Sequence, residues 1–559
     1  MSTVVRPPAL VPDGPVRRDR RDPGKSPSAA STPRYLRRRL ALVCGLLVAA
    51  LAVAAALVLA TAGSGPVPPA TGAATIVPAN AVAYVSLSTD PGRPAVSDAR
   101  KMAARFPDWP LLETAALNRL RSLVAGSSSA DFATQIRPWL GKQASLALIA
   151  GPNGTAQPLV VLEVAQAARA RAFVHRAGAT PAGAYDGSRI MAYPSGTELA
   201  FVGHYLVAGP DAGVRAALDA ARGRTRALAH DPTYERAVAG EPADRALDAY
   251  LPAGGLHQLL GTRTGVAGAI GALLDRPALQ AAAISLSPSP SGARVQVHRI
   301  LGAATPVAAR SFVPTLQSVL PSGSTLMLDV DNLGHAAPGL LSAAATAGIA
   351  GNVGPLLRRV GSALTAQGVK VSSVVSLFDG ETAVAISPGP SPALLIVSRV
   401  RDQAAAQSEL AALEGPITTL FSPSGSAGGQ VPELADRVIG GATVHEVGLG
   451  PGLQLDYAVF NGLVVVSTSV SAIDGVAQRS HALASDAAYR ATLPDQPPRL
   501  SSLVFGDVTQ LLQLGEQTGL TSGAGTRALR PDLSKIRAIG LSSTSGEGDT
   551  TTELSLEIR

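Results

Sequence analysis

Leu40 to Ala62 reads LALVCGLLVAALAVAAALVLATA, 23 residues without a charge. As a helix it spans roughly 35 Å at 1.5 Å per residue, enough to cross a hydrocarbon core of about 30 Å. Arg37, Arg38 and Arg39 stand directly before it, and no Lys or Arg follows until Arg93. Basic residues gather on the cytoplasmic side of a spanning helix. The expectation is a single-pass anchor in the cell membrane, with residues 1–39 cytoplasmic and residues 63–559 extracytoplasmic. Ala60-Thr61-Ala62 resembles a signal cleavage site, but a secretory signal has a shorter apolar run of about 7–15 residues.

The net charge of +7 belongs to the tail. Residues 1–39 hold ten Lys and Arg against three Asp, so residues 40–559 sum to zero. A nucleic-acid-binding surface needs a basic stripe of its own, and none follows residue 39, so no nucleic-acid partner is expected. The single cysteine, Cys44, sits in the apolar stretch, which excludes an intramolecular disulfide. Residues 1–34 are rich in Pro, Arg, Ser and Asp and lack apolar periodicity. They cannot bury enough surface to offset the entropy of ordering, so a disordered tail is predicted. Residues 63–74, GSGPVPPATGAA, read as a linker.

The folded part follows. Ala81 to Ser88 alternates as a half-buried strand does. Residues 95–124 read as helical, interrupted near Pro107 and Pro110. Ser145 to Ala150 and Pro158 to Val164 read as strands across Gly151-Pro152-Asn153-Gly154. Gln166 to Arg176 reads as a helix. Arg189 to Tyr193, Leu199 to Val202 and Tyr205 to Gly209 read as a meander, after which Asp211 is placed as the cap of a helix from Ala212 to Arg222. A helical piece surrounds Tyr234, a strand covers Leu247 to Leu251, and Ala283 to Leu286 pairs with Arg294 to Ile300 across PSPSG.

The same order then recurs. Leu320-Pro321 leads into Thr325 to Val330 as Val77-Pro78 leads into the first strand. Phe378 to Ala383 matches Trp139 to Ala144. Asp486 with Tyr489 matches Asp231 with Tyr234, Arg530-Pro531 matches Arg276-Pro277, and the hairpin at Ile539 matches that at Ile284. Ordered repetition at a near-constant offset signals a duplicated unit. The expected fold class is α+β: one N-terminal transmembrane helix (40–62), then two similar lobes, 75–302 and 311–559, with largely antiparallel sheets. In each, the Asp caps a helix and the Tyr anchors it to the sheet.

The ordered set VPANAVAYVSLS, WLGKQASLALI, PLVVLEV, YDGSRIMAYPSG, FVGHYLVAGPDAGVRAALDAA and LAHDPTYERAV resembles the bacterial membrane-anchored family catalogued as domain of unknown function 3352, frequent in actinobacteria. The resemblance covers most of residues 75–559 and is better in the first lobe. The second departs at its Gly/Ser-rich segments, 422–429 and 521–526. The resemblance implies no activity and transfers no functional residue.

Local catalytic motifs are absent. No serine sits in G-x-S-x-G or S-x-x-K. His445-Glu446 lacks the second histidine of a zinc helix, and Gly141-Lys142 lacks the rest of a phosphate loop. Gly448, Gly450 and Gly452 read as a turn between strands. The eight histidines, from His175 to His481, include no metal-binding pair at helical spacing. Asp329, Asp331 and Asn332 form the best acidic cluster. Two strand carboxylates at i and i+2 share a face, where they either meet a cation or, as the plainer reading has it, mark a solvated strand end. The calcium-loop pattern is not completed. No catalytic, cofactor-binding or metal residue is therefore assigned, and no cofactor is expected. Gly265 to Leu274 and Gly339 to Leu357 read as buried helices, or as lipid- or partner-facing surface.

The function these features support is a non-enzymatic cell-envelope protein whose two-lobed ectodomain binds a protein partner or an envelope component. The alternatives are a carrier of a lipid or other apolar ligand, and a hydrolase whose residues are too dispersed to leave a motif.

Overall fold

The structure is a computed structural model that describes residues 71–125, 131–151, 155–260, 278–302, 310–334, 365–366, 368, 371–387, 392–421, 433–450, 453–478, 481–494, 496–517 and 530–559. The predicted tail, the apolar stretch 40–62 and the segments Gly265 to Leu274 and Gly339 to Leu357 lie outside these residues. So do 422–429 and 521–526. Among the described residues no helix is long and apolar enough to cross a membrane.

Among the described residues the fold is α+β, with twenty strands in one antiparallel sheet. In the first half these are β1 (Ala83–Ser88), β2 (Leu140–Ala150), β3 (Ala156–Val164), β4 (Thr180–Tyr185), β5 (Ser188–Ala192), β6 (Glu198–Val202), β7 (Tyr205–Gly209), β8 (Leu247–Pro252), β9 (Leu279–Ser289) and β10 (Gly292–Leu301). In the second they are β11 (Leu326–Asp331), β12 (Glu381–Ser387), β13 (Ala393–Arg399), β14 (Glu433–Ile439), β15 (Ala442–Gly450), β16 (Leu453–Phe460), β17 (Leu463–Ser467), β18 (Ser502–Asp507), β19 (Ile536–Ser545) and β20 (Asp549–Ile558). The first half runs β4-β5-β6-β7-β3-β2-β1-β8-β9-β10. The second runs β14-β15-β16-β17-β13-β12-β11-β18-β19-β20. The strand order is the same in both. The halves join edge to edge, β10 antiparallel to β20, with Gln296 opposite Glu553 near the middle.

Both faces of each half are covered. In the first, Tyr84, Val161, Val207 and Ala283 pack under helices Asp211–Ala221 and Pro232–Val238. On the other face, Leu87, Leu162 and Leu286 meet Trp139 and Phe173, near helices Trp109–Val124 and Ala167–Arg176. Burying an aliphatic side chain such as Leu159, Leu206 or Leu218 contributes roughly 1.5–3 kcal/mol. In the second half, helices Val470–Gln478 and Ala487–Thr492 cover one face and Gln403–Phe421 the other.

Local chemistry explains two of the boundaries. Asp231 caps its helix, accepting from the amides of Thr233 at 2.9 Å and Tyr234 at 3.0 Å. A two-residue hairpin of type I′ requires positive φ at both central positions. Gly440-Gly441 supplies it between β14 and β15, with φ of 56° and 82°.

Several expectations change. Strand β4 is not anticipated, because Pro181 and Gly183 in TPAGAY argue against a strand; it survives as an edge with a register shift between those residues. Asp211 is not a cap. Pro210 holds that position, and Asp211, on the first turn, pairs with Arg215. Asp486 enters its helix as expected, but its carboxylate accepts from the Gly323 amide at 2.7 Å instead of capping. The folded body also takes in Thr71–Ala74, the end of the stretch read as linker, with Ala73 and Ala74 fully buried.

Candidate functional site

The strand pairings place a polar row through the first half. Ser145, Ser86, Asp248 and Ser285 stand opposite one another across β2, β1, β8 and β9, and all four are buried. Ser145 donates to Ser86 at 3.1 Å, and Gln143 Nε2 donates to the same hydroxyl at 2.8 Å. The Gln143 carbonyl accepts from the Ala73 amide at 3.1 Å, tying the start of the folded chain to the row.

Charge enters through the segment before β8. Arg245 donates from Nε to Asp248 and lies 3.0 Å from Glu241, with all three side chains under 8% exposed. Among the described residues Asp248 Oδ2 and Ser285 Oγ have no hydrogen-bond partner. Burial pushes the Glu241 carboxyl up to about 7, against the pull of Arg245 and His298 toward ionisation. Burial also lowers the pKa of the Arg245 guanidinium. Above this triad Tyr234 packs edge-on against Tyr84 and Tyr250, at 6.2 and 5.1 Å between centroids. The predicted role of Tyr234 as the anchor of its helix is what the packing shows. Burial raises the Tyr84 hydroxyl to about 12.

The second half builds the same region differently. Leu503 faces Asp329 as Asp248 faces Ser86. Counting back along the chain, Leu500 and Gln496 stand where Arg245 and Glu241 stand. The carboxylate has moved one strand over, and the arginine is gone. Asp329 is fully buried, and among the described residues neither of its oxygens accepts a hydrogen bond. Burial first, then the Glu381 carboxylate, push its carboxyl up to about 9, so it is neutral at pH 7. Glu381 instead collects donors: the amides of Thr315 and Leu316, the Thr315 hydroxyl and Arg399 Nε.

The expectation of a solvated strand end at Asp329, Asp331 and Asn332 is therefore corrected. Strand β11 lies between β12 and β18, so Asp329 is interior. Asp331 is half-buried opposite Glu381, and Asn332, at φ 55°, ends the strand. Among the described residues no three His, Cys, Asp or Glu are arranged to hold a metal ion.

His445 and Glu446 separate. Glu446 pairs with Arg437 at 2.7 Å. His445 lies 2.8 Å from Asp436 and stacks on Tyr457 at 4.6 Å, and the Tyr457 hydroxyl donates to Glu414. Gly448 and Gly450, expected in a turn, instead lie in β15, at a register shift against β16; Gly452 lies outside the described residues.

The triad Glu241, Arg245 and Asp248 escapes motif reading, because nothing local marks it as interior. Its signal is the alternation of acid, base and acid in EPADRALD just before a strand.

A family model described as "Protein of unknown function (DUF3352)" matches residues 41–559. The chain belongs to the DUF3352 family. No curated protein matches this DUF3352 chain. Solved structures of TP0453 in crystal forms I and III are similar over 42% and 44% of it and 80% and 82% of their own length. Their identity is 13% and 12%, with a TM-score of 0.26 in both, a likeness too distant for comparison of fold or function.

Proposed function

We propose that this DUF3352 chain is a single-pass membrane protein of the cell envelope, anchored by residues 40–62, whose extracytoplasmic body binds a protein partner or envelope component. We read that body as two duplicated α+β lobes; the repeated strand order supports this. The family match takes in the apolar stretch from Ala41 onward. The observation that carries the binding reading is an exposed apolar helix start beside the join. Leu111 and Leu112 are 71% and 38% exposed on helix Trp109–Val124. Just before them, Arg105 donates to the Ile558 carbonyl of β20 at 2.9 Å. By contrast, the most shifted carboxyls, Glu241 and Asp329, are enclosed, and an acid–base catalyst must reach its substrate.

The alternative, an apolar-ligand carrier, has one feature in its favour. Half-buried Val295, Leu554 and Leu541 stand side by side across β10, β20 and β19.

The test is affinity purification of the full chain from its native membrane in mild detergent, with bound proteins and lipids identified by mass spectrometry. A protein partner that falls several-fold with Leu111→Asp/Leu112→Asp supports the binding reading. Lipid retained by both proteins without any protein partner supports the carrier. No co-purifying species overturns both. Protease added to intact, wall-stripped cells should digest the body and spare an N-terminal tag; the reverse pattern overturns the topology.

A further inference from the structure

The join between the halves holds one histidine whose two ring nitrogens both face acceptors. His298, on β10, is buried. Its Nδ1 lies 2.8 Å from the Ala237 carbonyl at the end of helix Pro232–Val238. Its Nε2 lies 3.2 Å from Asp549 Oδ2 on β20, in the other half. A neutral imidazole carries one N–H. With it on Nδ1, the Nε2 lone pair meets a carboxylate oxygen; with it on Nε2, the Nδ1 lone pair meets the carbonyl. Only imidazolium satisfies both contacts. Histidine is the side chain that gains or loses charge between pH 5 and 8.

We propose that His298 is a proton-operated clasp between the two halves, closed on Asp549 when protonated and loosened when neutral.

The surroundings fit this role. On its own face of β10, His298 has Gln296 and Ile300 as neighbours. Directly opposite stand Ala283 on β9 and Thr551 on β20. The charged group facing it from the first half is Glu241, close enough that the His298 charge favours Glu241 ionisation. From the second half it is Asp549, 44% exposed at its side chain. Both are acidic; the cation behind Glu241 is Arg245, 3.0 Å from it and shared with Asp248. Arg299 projects to the other face and donates to Thr552 at 2.9 Å. The same strand pairing carries a second ion pair across the join, Arg294 to Glu553 at 3.0 Å. The β10–β20 backbone ladder also runs from Gly292 to Ile300, so the join persists while the clasp opens. The device is also single. Followed across the matching strand pairings, the β20 residue placed like His298 in the other half's hairpin is Ser555, and the β10 residue placed like Asp549 is Gly292.

The experiment is amide hydrogen exchange on the full-length chain in detergent at pH 5.5 and pH 8.0, corrected for intrinsic exchange rates. It compares the natural protein with Asp549→Asn and with His298→Gln. Protection of the amides from Arg294 to Ile300 is expected to be about two- to five-fold higher at pH 5.5 in the natural protein, the range for a half-exposed ion pair. Both variants should lose that difference. Glu241 titrates in all three proteins, so only the difference between them is read. Asn nearly matches Asp in shape at a half-exposed site, so Asp549→Asn keeps the fold and isolates the charge. An unchanged pH ratio in Asp549→Asn, or higher protection at pH 8.0 in the natural protein, overturns the clasp.

Discussion

Asp329 and Glu381 are carboxyl neighbours on adjacent strands, and they divide the local donors completely unequally. Glu381 takes four donors, while Asp329, at the centre of the second half, has none. Two like groups that share a site cannot both ionise cheaply, and the one without donors stays protonated.

The folded Asp329 carboxyl titrates near 9 and the unfolded one near 3.8. Between those values the folded state holds one more proton, so stability falls as pH rises, by about 1.4 kcal/mol per pH unit. Asp329→Asn should flatten this dependence, raising stability at pH 8 by on the order of 3–4 kcal/mol relative to pH 5. Its amide can still donate to Glu381. Thermal unfolding of the full chain across pH 4–9 checks this; parallel curves for the two proteins would count against a buried neutral acid.

Removing Arg245 alone strands two buried carboxylates. Arg245→Leu should cost about 3–5 kcal/mol. The triple change Glu241→Gln/Arg245→Leu/Asp248→Leu installs the residues found at Gln496, Leu500 and Leu503 in the other half. Replacing a whole buried ionic group by apolar residues is often close to neutral, so the triple variant should recover most of the loss. Chemical denaturation of the three proteins compares them directly.

Gly292 permits the two halves to meet. A Cβ there would sit 1.8 Å from the Leu556 carbonyl oxygen, a backbone atom of β20 that cannot swing aside. Gly292→Ala should therefore cost about 1–3 kcal/mol, concentrated at the join. Hydrogen exchange should accelerate at the paired ends of β10 and β20 and leave β5 and β6 unchanged.

The two entry aspartates should respond differently. Asp231→Ala removes a cap with two amide bonds and should cost about 0.5–2 kcal/mol. Asp486→Ala instead frees the Gly323 amide before β11, so exchange should rise at Gly323 and not at the start of helix Ala487–Thr492.

By itself the sequence determined the elements whose causes are local. The alternation in AVAYVSLS, the Asp231 cap and the Tyr234 anchor follow from neighbouring residues. So does the repeated order of elements, because equal apolar periods with equal turn signals select equal elements. Period-2 patterning says which face a strand residue takes, but not whether its strand is central or at an edge. That is why DVDN at 329–332 reads as a solvated strand end and proves interior: only the pairing of β11 with both β12 and β18 decides it. The burial of Glu241, Arg245 and Asp248 was illegible for the same reason, since β1, which flanks β8 on one side, comes from a distant part of the chain. The meeting of His298 with Asp549 depends on a still longer closure, the edge-to-edge pairing of β10 with β20. Edge strands expose unpaired backbone groups of no particular sequence, so which edges meet is settled by the assembled sheet.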